Sequence, residues 1–403
     1  MLERKFAGLL AVTLAALAVG CDGLVTEAPN DADLFDAPID GLTAEELAAF
    51  VEGDEQFGQA FLPSEGLGPI FNDVSCAACH SGDGRGRREN SLTRVSRGVD
   101  PALDVGGPQI QDRAIPGAVP ESVPAGVDVS VRLPPPVFGV GLIEAIPEAA
   151  ILANADPTDA DGDGISGRPN MVIPPAFVPD REPGAGSTPQ LGRFSRKAQV
   201  SSILEQIVAA YQQDIGITTG FLPDENHNPQ VSRAHEVADR VADPELPATA
   251  VLATLDYLRM LAPPAPGEMT ARRQRGGDVF RAIGCAACHV PEFVAGPSVI
   301  PAIEGRRVAL FSDLLLHDMG PGLADNRPDG DATGQEWRTA PLWGLRVMRD
   351  FLNGDAFLLH DGRAATVEEA ILLHGGEGQE ARDEFAALAP ADRDALLDFV
   401  ETR

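Results

Sequence analysis

Positive charge and aromatic side chains are both scarce in this chain. Its 403 residues include 31 lysines and arginines against 61 aspartates and glutamates, so the formal net charge is −30, and aromatic residues make up 5%. This composition argues against nucleic acid as a partner, because binding phosphates requires basic patches. The acidic surface suits a cationic protein partner instead. Hydrophobic residues make up 44%, enough for a core, while 42 glycines and 34 prolines predict many loops.

Long hydrophobic runs are confined to the N-terminus. Residues 6–20 are apolar and follow the charged start MLERK, which predicts a lipoprotein signal peptide over residues 1–20. Residues 17–21 read LAVGC, which resembles a bacterial lipobox and makes Cys21 the candidate lipidation site. The alternative is an ordinary signal peptide with a nearby free cysteine. Residues 21–42 predict an acidic tether. We therefore expect a periplasm-facing lipoprotein that meets the membrane only through its N-terminal lipid.

Cysteine is also rare, and four of the five cysteines fall in two identical pentads. Residues 76–80 and 285–289 both read CAACH, and C-x-x-C-H is the attachment signature of c-type haem. Two thiols one helical turn apart can bond the two vinyl groups of a haem, and the next residue can bind its iron. A single zinc site or disulfides would leave both histidines unexplained. The predicted attachment residues are Cys76, Cys79, Cys285 and Cys288, and the predicted axial ligands are His80 and His289.

The second axial position of each iron decides between electron transfer and catalysis. Thr366 and Glu369 form a predicted capping box, so a short helix over residues 367–374 would present His374 to the second haem. His360 precedes that helix and is predicted to have a hydrogen-bonding or structural role. Residues 81–226 contain no histidine, and Met171 within them is a weak candidate. We therefore expect one saturated iron and one open iron that binds peroxide or another small ligand.

Several motifs along the chain resemble the di-haem oxidoreductase family, which is related to bacterial di-haem cytochrome c peroxidase and to MauG-type enzymes. The N-terminal ones are GPIFN at 68–72, FGVGLIEAIP at 138–147, DADGDGISG at 159–167 and GRF at 192–194. The C-terminal ones are LHDMG at 316–320, WRTAPLWG at 337–344, HDG at 360–362 and HGGE at 374–377. The resemblance covers nearly all of the mature chain and implies a peroxidase-like di-haem enzyme.

The chain departs from the family pattern at two places. The peroxidase relatives carry methionine or tyrosine where this chain has His374, which implies a second haem with two histidine ligands and a lower reduction potential. The family usually shows Gly-Trp where this chain has Ser195 and Arg196. Both departures separate the protein from an ordinary cytochrome c peroxidase.

Two further side chains are candidates for the chemistry. Glu144 stands alone among apolar residues, and burial there would raise its pKa and suit a base that moves a proton of peroxide. The alternative is that Glu144 lies at the start of a helix or forms a salt bridge with Arg132. His317 is predicted either near the edge or propionates of the second haem or as a packed, hydrogen-bonded residue.

A candidate calcium loop lies between the pentads. Asp159, Asp161, Asp163 and the carbonyl of Ile165 follow the first half of a calcium-binding loop. The twelfth position is Asn170 instead of glutamate, so the expected affinity is weaker than that of a full loop. A solvated acidic turn is the alternative.

The helical periodicities predict a mostly α fold with two cytochrome-c-like haem domains and long ordered loops. We place an N-terminal haem domain, with a long insertion and helices, at residues 43–265 and a C-terminal cytochrome-c domain at 266–403. Helices are predicted at residues 47–61, 196–213, 248–261, 270–283, 367–374 and 390–402. No strand pattern is strong.

The function that follows is a di-haem c-type oxidoreductase of the cell envelope, with one haem for electron transfer and one for peroxide or small-ligand chemistry. A small cytochrome or cupredoxin would be the electron donor. One alternative is a non-catalytic di-haem electron carrier. The other is a MauG-like enzyme that oxidises a protein substrate.

Overall fold

Helices dominate the architecture and the sheets are small, as the sequence predicts. The computed structural model describes residues 34–80, 82, 84–232 and 239–403. The predicted signal peptide, Cys21 and most of the tether lie outside the described residues. None of the helices among the described residues has the length and apolar character that crossing a bilayer requires.

Eleven α-helices are present in the described part of the chain. The first six are α1 (Ala44–Gly58), α2 (Cys76–Cys79), α3 (Val140–Glu144), α4 (Glu148–Leu152), α5 (Ile203–Ala210) and α6 (Ala248–Met260). The others are α7 (Ala271–Ala282), α8 (Met348–Phe351), α9 (Val367–Leu372), α10 (Gln379–Ala387) and α11 (Pro390–Val400). Helix α5 continues as a π-helical turn, Tyr211–Ile215.

Ten short strands pair into five antiparallel two-stranded sheets within the described residues. The pairs are β1 (Ile70–Phe71) with β3 (Arg113–Ala114), β2 (Leu92–Ser96) with β4 (Asp128–Arg132), and β5 (Met171–Val172) with β6 (Gln190–Leu191). The remaining pairs are β7 (Phe293–Val294) with β8 (Arg307–Val308) and β9 (Leu316–Asp318) with β10 (Glu336–Arg338). Strands this short leave no alternating pattern to find in the sequence.

Local capping signals explain why several helices begin where they do. Thr43 and Glu46 form a complete capping box at the start of α1, and the Thr270 hydroxyl caps α7. At α9 the Thr366 hydroxyl accepts from the Glu369 amide at 3.0 Å, as predicted. The reciprocal bond differs from the prediction, because the Glu369 carboxylate accepts from the Ala365 amide.

The helix predicted over residues 196–213 is wrong in its first half. Ser195 and Ala198 have φ values of 68° and 52°, which a right-handed helix does not allow. Phe194 instead forms a bridge with Val200, and the helix begins only at Ile203. The apolar periodicity from residue 200 onward is real, but the preceding residues turn back to bring their side chains inward.

Two apolar cores position the two pentads. The larger core combines residues from both sides of residue 265, such as Phe57, Leu204 and Tyr257 with Ile303 and Trp343. Cys76 and Ala77 pack against this larger core. A smaller core forms where α7, α10 and α11 meet, and Cys285 packs against it. Its buried members are Phe280, Phe311, Phe385, Leu396, Phe399 and Val400. The division into two domains at residue 265 stays a prediction.

Candidate haem sites

The second pentad follows directly from the end of α7. Gly284 has a φ of 87°, a left-handed conformation that glycine adopts without strain, and it turns the chain out of the helix. Cys285–Ala287 then form one 3₁₀ turn, and the His289 amide donates to the Cys285 carbonyl at 3.0 Å. This turn fixes both thiols and the imidazole relative to one another.

A cavity of about 700 Å³ lies beside this pentad and is large enough for a sizeable ligand. Ligand pockets in proteins span roughly 300–1,000 Å³. The cavity is lined by Cys285, Cys288, His289 and His374, so the structure brings the predicted second ligand to the same space as the pentad. Apolar side chains from α7, α9 and α11 form much of its wall.

His289 and His374 are both prepared to bind a metal through Nε2. The Nδ1 of His289 bonds the Phe311 carbonyl at 2.9 Å, and that of His374 bonds the Ala370 carbonyl at 2.8 Å. Because a carbonyl only accepts, each Nδ1 carries the proton and leaves Nε2 with its lone pair. Burial lowers the pKa of His289 to about 4 and also lowers the pKa of His374. Both imidazoles are therefore neutral near pH 7.

His317 lies beside the second pentad, clamped between two carboxylates. Its Nε2 bonds Asp313 Oδ2 and its Nδ1 bonds Glu377 Oε2, both at 2.7 Å, and Cys288 Sγ lies 3.5 Å from Nδ1. Burial opposes protonation, but these hydrogen bonds outweigh it and hold the pKa of His317 well above its usual value. The residue thus lines the cavity and is also a packed, hydrogen-bonded histidine.

His360 faces the same cavity and stacks on Trp337. The two ring centroids are 3.7 Å apart with planes 13° from parallel. Burial lowers the pKa of His360 to about 3, so it is neutral. Lys197 Nζ lies 4.4 Å from the Trp337 ring centroid and also binds Asp325 at 2.7 Å. The hydrogen-bonding or structural role of His360 stays a prediction.

The first pentad forms the one-turn helix α2. The Ser75 hydroxyl caps it by accepting from the Ala78 amide at 3.0 Å. Burial is the largest of several effects that raise the pKa of the Cys79 thiol, and Asp73 Oδ2 lies 3.8 Å from its sulfur. Burial lowers the pKa of His80 to about 4. The His80 Nδ1 is buried and has no hydrogen-bond partner among the residues that the structure describes, so this nitrogen has unmet bonding capacity.

A second, small cavity of about 80 Å³ lies close to His80. Pro135 belongs to its wall and its carbonyl lies near the His80 ring. Phe138, Trp343 and Arg338 line it as well, and Arg338 also lines the larger cavity. The residues of the first pentad fit a haem by their donor set, and this cavity is far smaller than the one beside the second pentad.

Glu144 is buried, but it belongs to an ion pair. Arg259 binds it with two hydrogen bonds, Nε to Oε2 at 2.8 Å and Nη2 to Oε1 at 3.0 Å, and also binds Glu182 at 2.9 Å. Desolvation raises the pKa of Glu144 against the opposing pull of Arg259. The salt bridge predicted with Arg132 is not formed, since Arg132 lies against Asp325 and other acidic groups. The base role of Glu144 stays a prediction.

Part of the acidic loop brings its carboxylate groups together. Oxygen atoms of Asp156, Asp159 and Asp161 lie within 4.8 Å of one another, so the structure adds Asp156 to the predicted set. Asp163 does not join that group; its carboxylate accepts from the Ile165 amide at 2.9 Å. Asp163 and Ile165 instead line the large cavity. Calcium binding stays a prediction.

For five residues of the site, the sequence did not predict a functional side chain. Asp313 and Glu377 hold His317, and no spacing in the sequence links 313, 317 and 377. Of the four arginines that line the large cavity, Arg382 pairs with Asp383, and the other three are Arg85, Arg196 and Arg338. Only Arg196 carried a signal, because it replaces an expected tryptophan.

Two cysteine–histidine pentads, one beside a cavity shared with a second histidine, define a protein built to hold two haem groups. The chain matches the family described as "Di-haem oxidoreductase, putative peroxidase" over residues 14–102 and 121–403. It therefore belongs to the di-haem oxidoreductase family, and haem is the cofactor of this family.

Solved structures give more distant similarities. Hydrazine synthase of Kuenenia stuttgartiensis is 16% identical, with 94% of this chain and 96% of that chain covered and a TM-score of 0.38. The di-haem peroxidase BthA of Burkholderia thailandensis is 15% identical, with 94% and 89% covered and a TM-score of 0.40. A MauG-like protein associated with microbial copper homeostasis is 16% identical, with 66% and 87% covered and a TM-score of 0.29. No curated protein matches the chain.

Proposed function

We propose that the protein is a c-type di-haem oxidoreductase of the cell envelope with peroxidase-like activity. The observation that carries the proposal is the placement of His374 in the same cavity as His289, with both Nδ1 protons bound to carbonyls. Two such histidines saturate one iron, which suits electron transfer. The first pentad contributes His80 alone and would leave its iron open to peroxide or another small ligand.

The residues of each pentad have separate tasks in this proposal. Cys285 and Cys288 would hold the second haem by thioether bonds, and His289 and His374 would bind its iron. Cys76 and Cys79 would hold the first haem in the same way, and His80 would bind its iron. The bound haems would supply the one-electron chemistry. Two cytochrome-c-like domains would surround the two haems.

Glu144 is the candidate for moving a proton near the open iron. Its burial raises its pKa, the direction that a base working near neutral pH requires. The guanidinium of Arg259 fixes its carboxylate in one orientation. His317 and His360 support the second haem from the cavity wall.

The location and the electron donor that we propose rest on the N-terminal segment and on the net charge. Export through the signal peptide and a lipid on Cys21 would place the chain on the periplasmic side of a membrane. Its net charge of −30 favours a small, basic electron donor such as a cytochrome or cupredoxin. Calcium on Asp159, Asp161, Asp163 and the Ile165 carbonyl is part of the same proposal.

Peroxide turnover tests the proposed function directly. The exported protein, reduced by a small cytochrome or cupredoxin, is mixed with hydrogen peroxide in a stopped-flow instrument, and donor oxidation is followed. We expect donor oxidation to require both peroxide and the protein, and the oxidised protein to show one high-spin and one low-spin ferric EPR signal.

Two outcomes would overturn this proposal in favour of its alternatives. Low-spin signals alone, with no peroxide reaction, would indicate a non-catalytic electron carrier. Peroxide consumption that oxidises an added protein, and not the small donor, would indicate a MauG-like oxidase.

A further inference from the structure

Three arginines at the large cavity have no carboxylate partner within residues 34–80, 82, 84–232 and 239–403. Arg85 and Arg196 are 6% and 9% exposed, and Arg338 is partly buried. Their hydrogen bonds go to backbone carbonyls only. Arg196 donates to Leu133 O at 3.1 Å and Pro134 O at 3.2 Å, Arg338 to Ser195 O at 3.0 Å, and Arg85 to Phe357 O at 3.4 Å. Each guanidinium therefore keeps unused donors.

Other buried arginines nearby are neutralised. Arg132 pairs with Asp325 at 2.9 Å and Arg259 with Glu144 at 2.8 Å. By contrast, Arg85 Nε and Arg338 Nη1 are buried without a hydrogen-bond partner in the described part of the chain. A buried guanidinium that lacks an anion is strongly destabilising. Arg85, Arg196 and Arg338 therefore differ from Arg132 and Arg259 in having no acidic partner among the described residues.

The three guanidinium groups act on one another electrostatically. Arg85 and Arg338 both lie close enough to Arg196 to lower its pKa, after the larger effect of burial. Burial lowers the pKa of Arg85 and of Arg338 to about 10, so both stay charged near pH 7. The nearest acidic groups are committed elsewhere: Asp361 binds Arg363 at 2.7 Å, and Asp313 binds His317. The cluster therefore presents excess positive charge to the cavity in a strongly acidic chain.

We propose that Arg85, Arg196 and Arg338 form a carboxylate-binding cradle for the propionates of the haem held by the second pentad. The inference rests on the proposed function, because the same cavity is lined by both thiols and both histidines of that pentad. A haem carries two propionates, and guanidinium groups bind carboxylates through paired, charge-assisted hydrogen bonds. These residues position the haem and tune it; they take no part in the reaction itself.

Reduction potential is the readout that separates this role from a purely structural one. A cation beside the propionates favours the reduced haem, so Arg196→Met and Arg338→Met should each lower the midpoint potential of the low-spin haem. We expect a tenfold or larger shift of the ferric–ferrous equilibrium, which for one electron is about 59 mV. Arg196→Lys should recover part of the shift. The control is Arg307→Met, since Arg307 is exposed and pairs with Glu292.

The potentials are measured by spectroelectrochemical titration of the exported holoprotein, with haem content and circular dichroism recorded for every variant. A variant that holds two haems at an unchanged potential would overturn the cradle and leave the proposed function intact. Wild-type protein without haem would overturn both. If a methionine variant fails to fold, the potentials of Arg85→Lys and Arg338→Lys are measured instead. These variants keep the positive charge but remove the planar guanidinium that binds a carboxylate through paired hydrogen bonds.

A free anion is the other possible occupant of such a cluster. The wild-type potential is therefore measured while inorganic phosphate replaces perchlorate at constant ionic strength. We expect no change, because covalently held propionates fill the cradle. A phosphate-dependent potential that disappears in Arg196→Met would show that free anions bind there, and would overturn the assignment to propionates.

Discussion

Replacing His374 with alanine is expected to convert the low-spin ferric signal of the oxidised protein into a second high-spin signal. The reason is that His374 shares the cavity of the second pentad with His289 and offers its Nε2, since Nδ1 is bound to the Ala370 carbonyl. Without it, the iron has one protein ligand. EPR spectra of the exported wild type and variant provide the measurement.

Added imidazole provides the first control, because it should enter the vacated position and restore the low-spin signal. His227→Ala is the second, since His227 does not line the cavity, and its spectrum should match the wild type. His374→Met should raise the potential of this haem by on the order of 0.1 V, within the ~0.8 V range that axial ligands span. An unchanged low-spin signal in His374→Ala would show that another residue binds this iron.

Replacing Arg259 with methionine is expected to cost about 3–5 kcal/mol of unfolding free energy. The guanidinium lies between Glu144 and Glu182, whose side chains are 6% and 8% exposed. Removing it leaves the buried Glu144 carboxylate without its ion-pair partner and leaves Glu182 with only the exposed Arg181, at 3.6 Å. Urea unfolding followed by circular dichroism measures the loss. Adding Glu144→Gln should recover part of it, because one unpaired charge is then removed.

The matched control is Arg272→Met. Arg272 is 58% exposed and pairs with Asp394 and Asp398 at the surface, so its loss should cost about 0–1 kcal/mol. A loss of less than about 1 kcal/mol for Arg259→Met would contradict the view that this guanidinium neutralises Glu144. Glu144 would then be free to act as a base without a structural duty.

Features that depend on a few neighbouring residues could be predicted from the sequence. The two pentads, the Thr43 capping box and the Thr366 cap are short-range patterns, and the structure places each cap at its helix start. Helices α6, α7 and α11 lie within one or two residues of their predicted ends, because each has a clear boundary in the sequence. The mostly α class followed from these same signals.

Features that depend on distant residues could not be predicted. Arg259 reaches Glu144 across 115 positions, and His317 reaches Glu377 across 60. Nothing local distinguishes those partners from other charged residues, so the sequence suggested Arg132 for Glu144. The turn before α5 was missed for a related reason. Lys197 is fully buried there and binds Asp325. This contact holds the backbone in a turn, which helical periodicity in the sequence does not reveal.

The arginines of the large cavity show how a departure from a family pattern can be informative. Arg196 stands where the family usually carries tryptophan, and the sequence alone could say only that it must be tolerated. The structure places it with Arg85 and Arg338 at the cavity wall. A chain with twice as many acidic as basic residues leaves three arginines at one site without a carboxylate partner among its described residues, which is the basis for expecting an anionic group there.

Intact mass spectrometry of the exported protein tests the central claim most directly, namely that thioether bonds fix one haem at each pentad. The protein is expected to carry the mass of two haems after denaturation in acid. The double variant Cys76→Ala/Cys79→Ala and the double variant Cys285→Ala/Cys288→Ala should each carry one. Wild-type protein that runs at its polypeptide mass, or variants that keep both haems, would contradict the account.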